Sequence, residues 1–186
     1  MQLSPTRISL AIAVALATLA GTAAADAPKP RDGQRDFDGL LGKWNIKLKK
    51  LKKPLSGSKE WVDLTGTIHC RPLWDGKANI EEGVFTAADG TRINGITLRL
   101  YSPESGQWRL YWANQKTGQL DIPVVGEFKD GVGEFFDQEI FNGRAIFVRY
   151  QWSKITPKSA HFEQSFSTDG GKTWEVNWIT DQTRVE

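Results

Sequence analysis

Cysteine is nearly absent from this chain of 186 residues, which contains only Cys70. One thiol cannot form an internal disulfide, so packing has to supply the stability, and we expect Cys70 to behave as a small buried hydrophobic residue. Charge of one sign is not in excess either, because 24 basic residues face 22 acidic ones. This balance gives no electrostatic reason to expect nucleic acid as the main partner.

The motifs of common catalytic and metal sites are also missing. The chain has no G-x-S-x-G nucleophile elbow and no glycine-rich phosphate loop. Of its two histidines, His69 would point away from Cys70 in a strand, while His161 would share a face with Glu163. Zinc needs three or four converging ligands, so the sequence predicts neither a metal nor another cofactor.

Long apolar runs are confined to the start of the chain. Arg7 is followed by the uncharged run 8–19 and then by small residues that end in Ala23-Ala24-Ala25. This pattern predicts a signal peptide over residues 1–25, cleaved after Ala25, because the run is too short to span a bilayer. No cysteine follows the run to carry a lipid anchor, and no later segment predicts a membrane span. We therefore expect export, with a bacterial periplasm favoured over the extracellular medium.

Residues 26–36 differ in composition from everything that follows them. They hold Pro28, Pro30 and Gly33 among several charges, without an apolar period, which predicts a flexible leader. Residues 37–186 have a length that suits one domain with a sizeable core. The sequence by itself sets no oligomeric state.

Beyond residue 36 the apolar residues recur with a period of two, which is typical of strands. In the first strand Trp44, Ile46 and Leu48 alternate with lysines that face the other way. Further strands are predicted at 61–70, 78–87, 93–101, 107–114, 125–129, 132–141, 144–155, 160–167 and 174–183. About ten consecutive strands with short turns favour an all-β, antiparallel up-and-down barrel, because closure removes exposed sheet edges; a two-sheet sandwich is the alternative. The helix expected is a single turn at 37–41, with Asp36 as its cap.

The first strand opens with Gly42-Lys43-Trp44, which the apolar pair Leu40-Leu41 precedes. This resembles the G-x-W signature of the lipocalins and of the wider calycin superfamily. In that group the tryptophan closes one end of the barrel, and a basic residue of the last strand packs across its ring. The resemblance implies a lipocalin-like barrel in which Gly42 and Trp44 are structural residues and Arg184 packs on the indole.

A second motif lies at residues 167–174, with the sequence Ser-Thr-Asp-Gly-Gly-Lys-Thr-Trp. It resembles the Asp box, a hairpin in which Asp169 would accept hydrogen bonds from backbone amides and Trp174 would cover the turn. Either Gly170 or Gly171 would take a positive φ there. One box in a chain of this length excludes a six-bladed propeller of the sialidase type. Uncharacterised bacterial lipocalin-like families carry a similar stretch, so the resemblance implies a fold and little chemistry.

Aromatic residues are the remaining functional signal, with 8 Trp, 9 Phe and 3 Tyr. The alternation places on shared faces Trp108 with Leu110 and Trp112, Tyr150 with Trp152, and Trp174 with Val176 and Trp178. If these faces turn inward, the barrel can hold a cavity for one small ligand; solid packing is the alternative. The hypothesis is an exported lipocalin-like protein that binds a small apolar or amphipathic ligand, and its candidate binding residues are Trp108, Trp112, Arg149, Tyr150, Trp152, Glu163 and Trp178.

Two other function classes stay open. An enzyme in the same barrel would draw its acid, base or orienting groups from Asp137, Glu139, Arg149, His161 and Glu163. For Asp137 and Glu139, which share a face, a salt-bridged ladder on the barrel surface is favoured, because opposite charges across strands stabilise hairpins. An interaction module with a filled barrel would instead bind through an exposed face or the lysine-rich segment 43–59.

Overall fold

Ten antiparallel strands form a closed barrel in the computed structural model, which describes residues 31–185. Each strand pairs with the next along the chain, and the first pairs with the last. The strands are β1 (Gly42–Leu51), β2 (Trp61–Leu73), β3 (Ala78–Ala87), β4 (Arg92–Ser102), β5 (Gln107–Asn114), β6 (Val124–Lys129), β7 (Val132–Phe141), β8 (Arg144–Ser153), β9 (Ser159–Ser167) and β10 (Glu175–Arg184). The predicted up-and-down barrel is confirmed, and the two-sheet sandwich is wrong. The predicted signal peptide and its cleavage site lie outside the described residues.

One end of the barrel, here called the closed end, is covered by a 3₁₀ turn at Asp38–Leu40. Phe37 and Leu40 are almost fully buried, and the Phe37 ring lies 5.0 Å from the Trp108 ring, centre to centre. Asp36 was expected to cap this turn, but no side chain does so, and Asp36 instead pairs with Arg31. Among residues 31–185 there is no helix that is long and apolar enough to cross a membrane.

The described part of the predicted leader, residues 31–36, packs against the closed end. Gly33 donates its backbone N–H to the Tyr101 hydroxyl at 2.9 Å, and its carbonyl accepts a hydrogen bond from Trp108 Nε1 at 2.9 Å. A segment tied by such buried contacts is ordered, so the flexible leader needs correction over this range. Composition alone missed it because the contacts use backbone groups, which every residue carries.

Trp44 and Arg184 hold the closed end together. Trp44 is fully buried, and its Nε1 donates to the carbonyl oxygen of Leu40 at 2.8 Å. The Arg184 guanidinium carbon lies 4.2 Å from the centre of the Trp44 ring, and Arg184 Nη1 donates to the Leu41 carbonyl at 2.7 Å. The cation therefore clamps the 3₁₀ turn onto the indole, which is the packing that the G-x-W resemblance implied.

The Asp-box segment forms the hairpin between β9 and β10. Asp169 accepts hydrogen bonds from the backbone N–H of Thr173 at 2.9 Å and from the Thr173 hydroxyl at 2.7 Å. These bonds hold the pKa of Asp169 well below its usual range. Gly170 and Gly171 both adopt positive φ, at 74° and 83°, and the Trp174 ring lies directly over Gly171. The hairpin lies at the other end of the barrel, here called the open end.

Candidate ligand-binding cavity

The barrel encloses a cavity of about 510 Å³, with Lys52 and Pro54 of the β1–β2 loop and Ile122 of the β5–β6 segment among its lining residues. Those residues lie at the open end, while the plug around Phe37 fills the closed end. Because every second residue of a strand points inward, nine of the ten strands contribute to the wall, β6 being the exception. The volume falls within the range of small-molecule sites, so the barrel is not packed solid.

Aromatic rings form much of the wall. Trp112 and Trp178 meet edge to face with their centres 6.2 Å apart, and Tyr150 and Phe162 do so at 5.2 Å. Gly95 makes room for Trp112, since a Cβ at this position would lie 2.1 Å from the indole. In each pair the edge of one ring covers one face of the other, and the remaining aromatic surface of the wall is apolar and suits a conjugated ligand.

A buried ion pair lies deep in the cavity. Arg99 of β4 is fully buried, and its Nη2 lies 2.5 Å from Glu81 Oε2 while its Nη1 donates to Asn79 Oδ1 at 2.9 Å. Its guanidinium also stacks between the rings of Phe37 at 4.8 Å and Trp152 at 5.2 Å. Burial is the largest single influence and by itself would lower the pKa of Arg99, but the charges of Glu81 and Cys70 and the hydrogen bonds to them together raise that pKa.

Cys70 lies beside this ion pair, with its Sγ 3.6 Å from Arg99 Nη1. Burial raises the pKa of the Cys70 thiol to about 11, and the nearby positive charge of Arg99 only partly opposes that rise. The thiol is therefore neutral near pH 7 and buried. This is the environment of a core residue rather than of a nucleophile.

Three carboxyl groups line the cavity closer to the open end. Asp137 and Glu139 come from β7, and Asp121 comes from the segment that leads into β6. The surface ladder favoured for Asp137 and Glu139 is wrong: both face inward, and Arg149 lies on the opposite face of the sheet. Burial raises the pKa of Asp137 to about 7, and the charges of Glu139 and Asp121 add to the rise. Burial also raises the pKa values of Glu139 and Asp121.

Because the pKa of Asp137 is raised, the free energy of unfolding is expected to depend on pH. The folded-state pKa of about 7 exceeds the ordinary value of 3.8, so stability is lost as the pH rises between these values. Asp137→Asn removes that loss, and we expect it to raise the free energy of unfolding by about 1–2 kcal/mol above about pH 7.5, after discounting for partial exposure. Near pH 3.5 the variant and the natural protein should be about equally stable.

Urea unfolding at the two pH values measures this difference. Glu134→Gln is the matched control, because Glu134 lies on the same strand and faces the other side. An equal change at both pH values would mean that the effect of Asp137→Asn comes from shape and not from charge.

Polar atoms without a partner surround the same cavity. Five lining residues each have one buried nitrogen or oxygen that makes no hydrogen bond within the described part of the chain. Four are potential donors and one is an acceptor; the atoms are Arg99 Nε, Trp152 Nε1, Asn177 Nδ2, Gln182 Nε2 and Asp137 Oδ1. Buried polar groups in proteins almost always have partners, so these five atoms are candidate bonding partners for polar atoms of a ligand or of water.

The cavity includes four of the seven predicted binding residues: Trp112, Tyr150, Trp152 and Trp178. Trp108 is buried instead in the plug, against Phe37. Arg149 and Glu163 need correction, because they alternate with Tyr150 and Gln164, which point inward, and so they face outward. The Arg149 guanidinium stacks on the Trp174 ring at 4.7 Å, outside the barrel.

An irregularity in β10 explains why Trp174 and Trp178 do not share a face as expected. The pairing with β9 shifts between Val176 and Trp178, which leaves Asn177 as the extra residue of a bulge. Trp178 then lines the cavity, while Trp174 packs near Phe136 on the outside with ring centres 6.1 Å apart. A single inserted residue reverses the inward and outward faces, and strict alternation cannot reveal it.

His161 also lies on the outer surface. Its Nδ1 lies 2.7 Å from Asp181 Oδ1 and its Nε2 lies 3.1 Å from Glu163 Oε1. Burial alone would lower the pKa of His161, but the hydrogen bonds to these two carboxyls raise it. Within residues 31–185 no three His, Cys, Asp or Glu side chains converge as a metal site would require. His161 is therefore not among the residues that line the cavity.

Several cavity residues escaped the sequence analysis. These are polar residues that are buried and line the cavity, although polar strand residues are more often expected to face solvent: Arg99, Glu81, Asn177 and Gln182. One signal was available: in the segment 97–100, Thr-Leu-Arg-Leu, the alternation is regular, and the structure turns the polar face with Thr97 and Arg99 inward. A polar inner face is the expected pattern where a barrel holds a polar ligand.

Comparisons with known proteins identify the fold. No protein-family model matches the chain, and no curated protein is significantly similar to it. An S-type phycobiliprotein lyase from Guillardia theta superimposes with a TM-score of 0.55 at 12% identity, over 84% of this chain and 99% of the lyase. A redesigned β-barrel bound to DFHBI matches with a TM-score of 0.45 at 13% identity, over 78% of this chain and 99% of the barrel. The likeness to the lyase concerns the fold alone.

Proposed function

We propose that this protein binds a small amphipathic molecule inside its barrel, after export to the periplasm. The observation that carries the proposal is the composition of the cavity wall. Aromatic rings form much of it, and five of its residues each hold a buried polar atom without a partner. A purely apolar ligand would leave each of these atoms unpaired, at a cost of about 1–3 kcal/mol each. A ligand with a conjugated body and a few polar atoms satisfies both parts of the wall. The export part of the proposal rests on the amino-terminal sequence.

A native mass spectrum recorded beside a denaturing one tests whether the protein carries a ligand. The protein is purified directly from the exported fraction of its source, so that a resident molecule is retained. We expect a constant additional mass that disappears on denaturation and that identifies the cargo. Equal masses in the two spectra, together with no binding of apolar dyes, would contradict the proposal.

Filling the cavity is expected to abolish dye binding. Thr180 is buried and lines the cavity, whereas Thr183 on the same strand is exposed. Thr180→Trp should weaken the binding of the uncharged dye Nile red by about tenfold or more, because the new ring occupies the ligand volume. Thr183→Trp adds the same side chain outside the barrel and should leave the dissociation constant unchanged. The measurement is the fluorescence enhancement of the dye on titration.

A second cavity variant guards against a folding defect in the first. Gln164→Trp places the ring on β9 and should have the same effect as Thr180→Trp. Thermal unfolding followed by circular dichroism shows whether each variant is folded. Undiminished dye binding in both folded variants would show that the dye binds elsewhere.

An enzyme acting in the same cavity is the second candidate, favoured by Asp137. A carboxyl with a pKa of about 7 holds and releases a proton near neutral pH, which general acid–base catalysis requires. The cargo distinguishes the two functions: a carrier returns it with an unchanged mass after incubation, while an enzyme converts it. Conversion that stops in Asp137→Asn would establish the enzyme.

A further inference from the structure

The charges of the cavity wall do not balance near the open end. Asp121, Asp137 and Glu139 line the cavity, and none of the three forms an ion pair within residues 31–185. Burial raises the pKa of each carboxyl, and acidic neighbours add to the rise for Asp137 and Glu139. No lysine or arginine contributes an opposing effect that would stabilise the charged form. The wall therefore presents negative charge without an internal counter-ion.

The basic groups of the cavity are engaged elsewhere. Arg99 is paired with Glu81, and Lys52 lies 3.5 Å from Glu60. Lys50 lines the cavity, but its ammonium lies over the Trp178 ring at 5.3 Å and forms no ion pair with the three carboxyls. Burial and the neighbouring Lys116 lower the pKa of Lys50, and no carboxyl opposes this. Lys50 also shows that the aromatic wall can accommodate an ammonium group.

Two buried amides provide independent evidence that the same cavity receives a polar molecule. Asn177 and Gln182 are 2% and 3% exposed, line the cavity, and have side-chain nitrogens without a partner. Asp137 Oδ1, an acceptor, is buried and unpaired in the same wall. A hydrocarbon ligand would form hydrogen bonds with none of these atoms, and an anionic ligand would be repelled by the carboxyls.

We propose that the ligand is an organic cation, a protonated amine attached to a planar apolar body; this inference rests on the proposed function. Its ammonium group donates hydrogen bonds to Asp137, while Glu139 and Asp121 add electrostatic attraction. Its planar body packs against Trp112, Tyr150 and Trp178, whose faces attract a nearby cation. The unpaired amides select ligands that also carry an acceptor oxygen or nitrogen.

Three naphthalene probes of matched shape test the charge preference: 2-naphthylmethylammonium, the uncharged 2-naphthylmethanol, and 2-naphthoate. Isothermal titration calorimetry at about pH 8, where Asp137 is largely ionised, measures the three dissociation constants. We expect the cation to bind at least about tenfold more tightly than the alcohol, and the anion to bind most weakly. A tighter affinity for the alcohol or for the naphthoate would overturn the inference.

Substitutions locate the cation within the cavity. Asp137→Asn should weaken binding of the ammonium probe about tenfold and that of the alcohol by less than about twofold, because only the charge is removed. Glu139→Gln should have the same effect to a smaller degree. Glu134→Gln, on the outer face of β7, is the matched control and should leave both affinities unchanged. An unchanged affinity of the ammonium probe for Asp137→Asn would contradict the assigned contact.

Acid should weaken the binding of the ammonium probe in the same way as Asp137→Asn. Lowering the pH to about 5 protonates Asp137 and removes the attraction, while the alcohol should bind equally well. The other charged or titratable groups that line this cavity are Lys50, Lys52, Glu81, Arg99, Asp121, Glu139 and Tyr150. Equal loss for the ammonium and the alcohol would show a general opening of the barrel rather than loss of the charge contact.

The possible failures are distinguishable from one another. If the alcohol or naphthoate binds best and Thr180→Trp blocks it, the ligand-binding function stands and the cation inference is wrong. If no probe binds and the native mass spectrum shows no cargo, the proposed function fails together with the inference. Ammonium binding that survives Thr180→Trp would place the probe outside the cavity and would also overturn the inference.

Discussion

Replacing Glu81 with glutamine is expected to lower the free energy of unfolding by about 3 kcal/mol, because it leaves the Arg99 guanidinium buried without a counter-ion. Arg99 has no solvent exposure, and the Glu81 side chain is only 9% exposed, so hydration compensates poorly for the lost carboxylate. Glutamine keeps the shape and one acceptor oxygen, which confines the change to the charge. Urea unfolding at neutral pH, followed by circular dichroism, measures the loss.

Two further variants separate charge from packing. Glu82→Gln, at the neighbouring exposed position, should change the stability by less than about 0.5 kcal/mol. The double variant Glu81→Leu with Arg99→Met removes both charges, and it should be more stable than Glu81→Gln because no unpaired ion remains. A double variant as unstable as the single one would show that the geometry of this region, and not the ion pair, matters to stability.

Replacing Trp44 with alanine is expected to cost about 4 kcal/mol, which is close to the total stability of many domains of this size. The indole is fully buried, bonds to the Leu40 carbonyl and lies under the Arg184 guanidinium. The substitution leaves a cavity at the closed end and removes the surface against which the 3₁₀ turn is held. Circular dichroism is the appropriate probe, because loss of a tryptophan changes the fluorescence signal.

Trp74→Ala is the matched control for Trp44→Ala. Trp74 is 69% exposed, so its removal should change the free energy of unfolding by less than about 0.5 kcal/mol. Trp44→Phe should lie between the two, because phenylalanine fills part of the volume and lacks the N–H donor. Similar losses for Trp44→Ala and Trp74→Ala would contradict the structural role assigned to the closed end.

Much of the fold could be predicted because its signals are local. The bounds of β3, β5 and β7 match the prediction residue for residue, since alternation and turn residues act within a few positions. The end of β8 was placed two residues too late, at Ile155, because Lys154 takes a positive φ of 51° that nothing in its sequence neighbourhood indicates.

The candidate site could be predicted only in part. Tyr150 and Trp152 were named as candidate binding residues on the condition that their face turns inward, and large aromatic residues do belong to a buried face more often than their charged neighbours. The same rule failed for Asp137 and Glu139, which lie inside, while Phe136 and Ile140 of the same strand are 41% and 69% exposed. In that strand the polarity of the two faces is reversed, because its inner face lines a cavity rather than a packed core.

The sequence by itself determined that the described chain folds as an all-β barrel, because strand period and turn residues are properties of neighbouring residues. The packing of Arg184 on Trp44 was what the resemblance to the G-x-W signature implied. Only the tertiary structure decided which face of each strand points inward. It brought Arg99 of β4 next to Glu81 of β3, left Asp137 without a counter-ion, and introduced the bulge at Asn177. Burial and charge balance arise when distant strands enclose a common space, and a cavity is a property of all of them together.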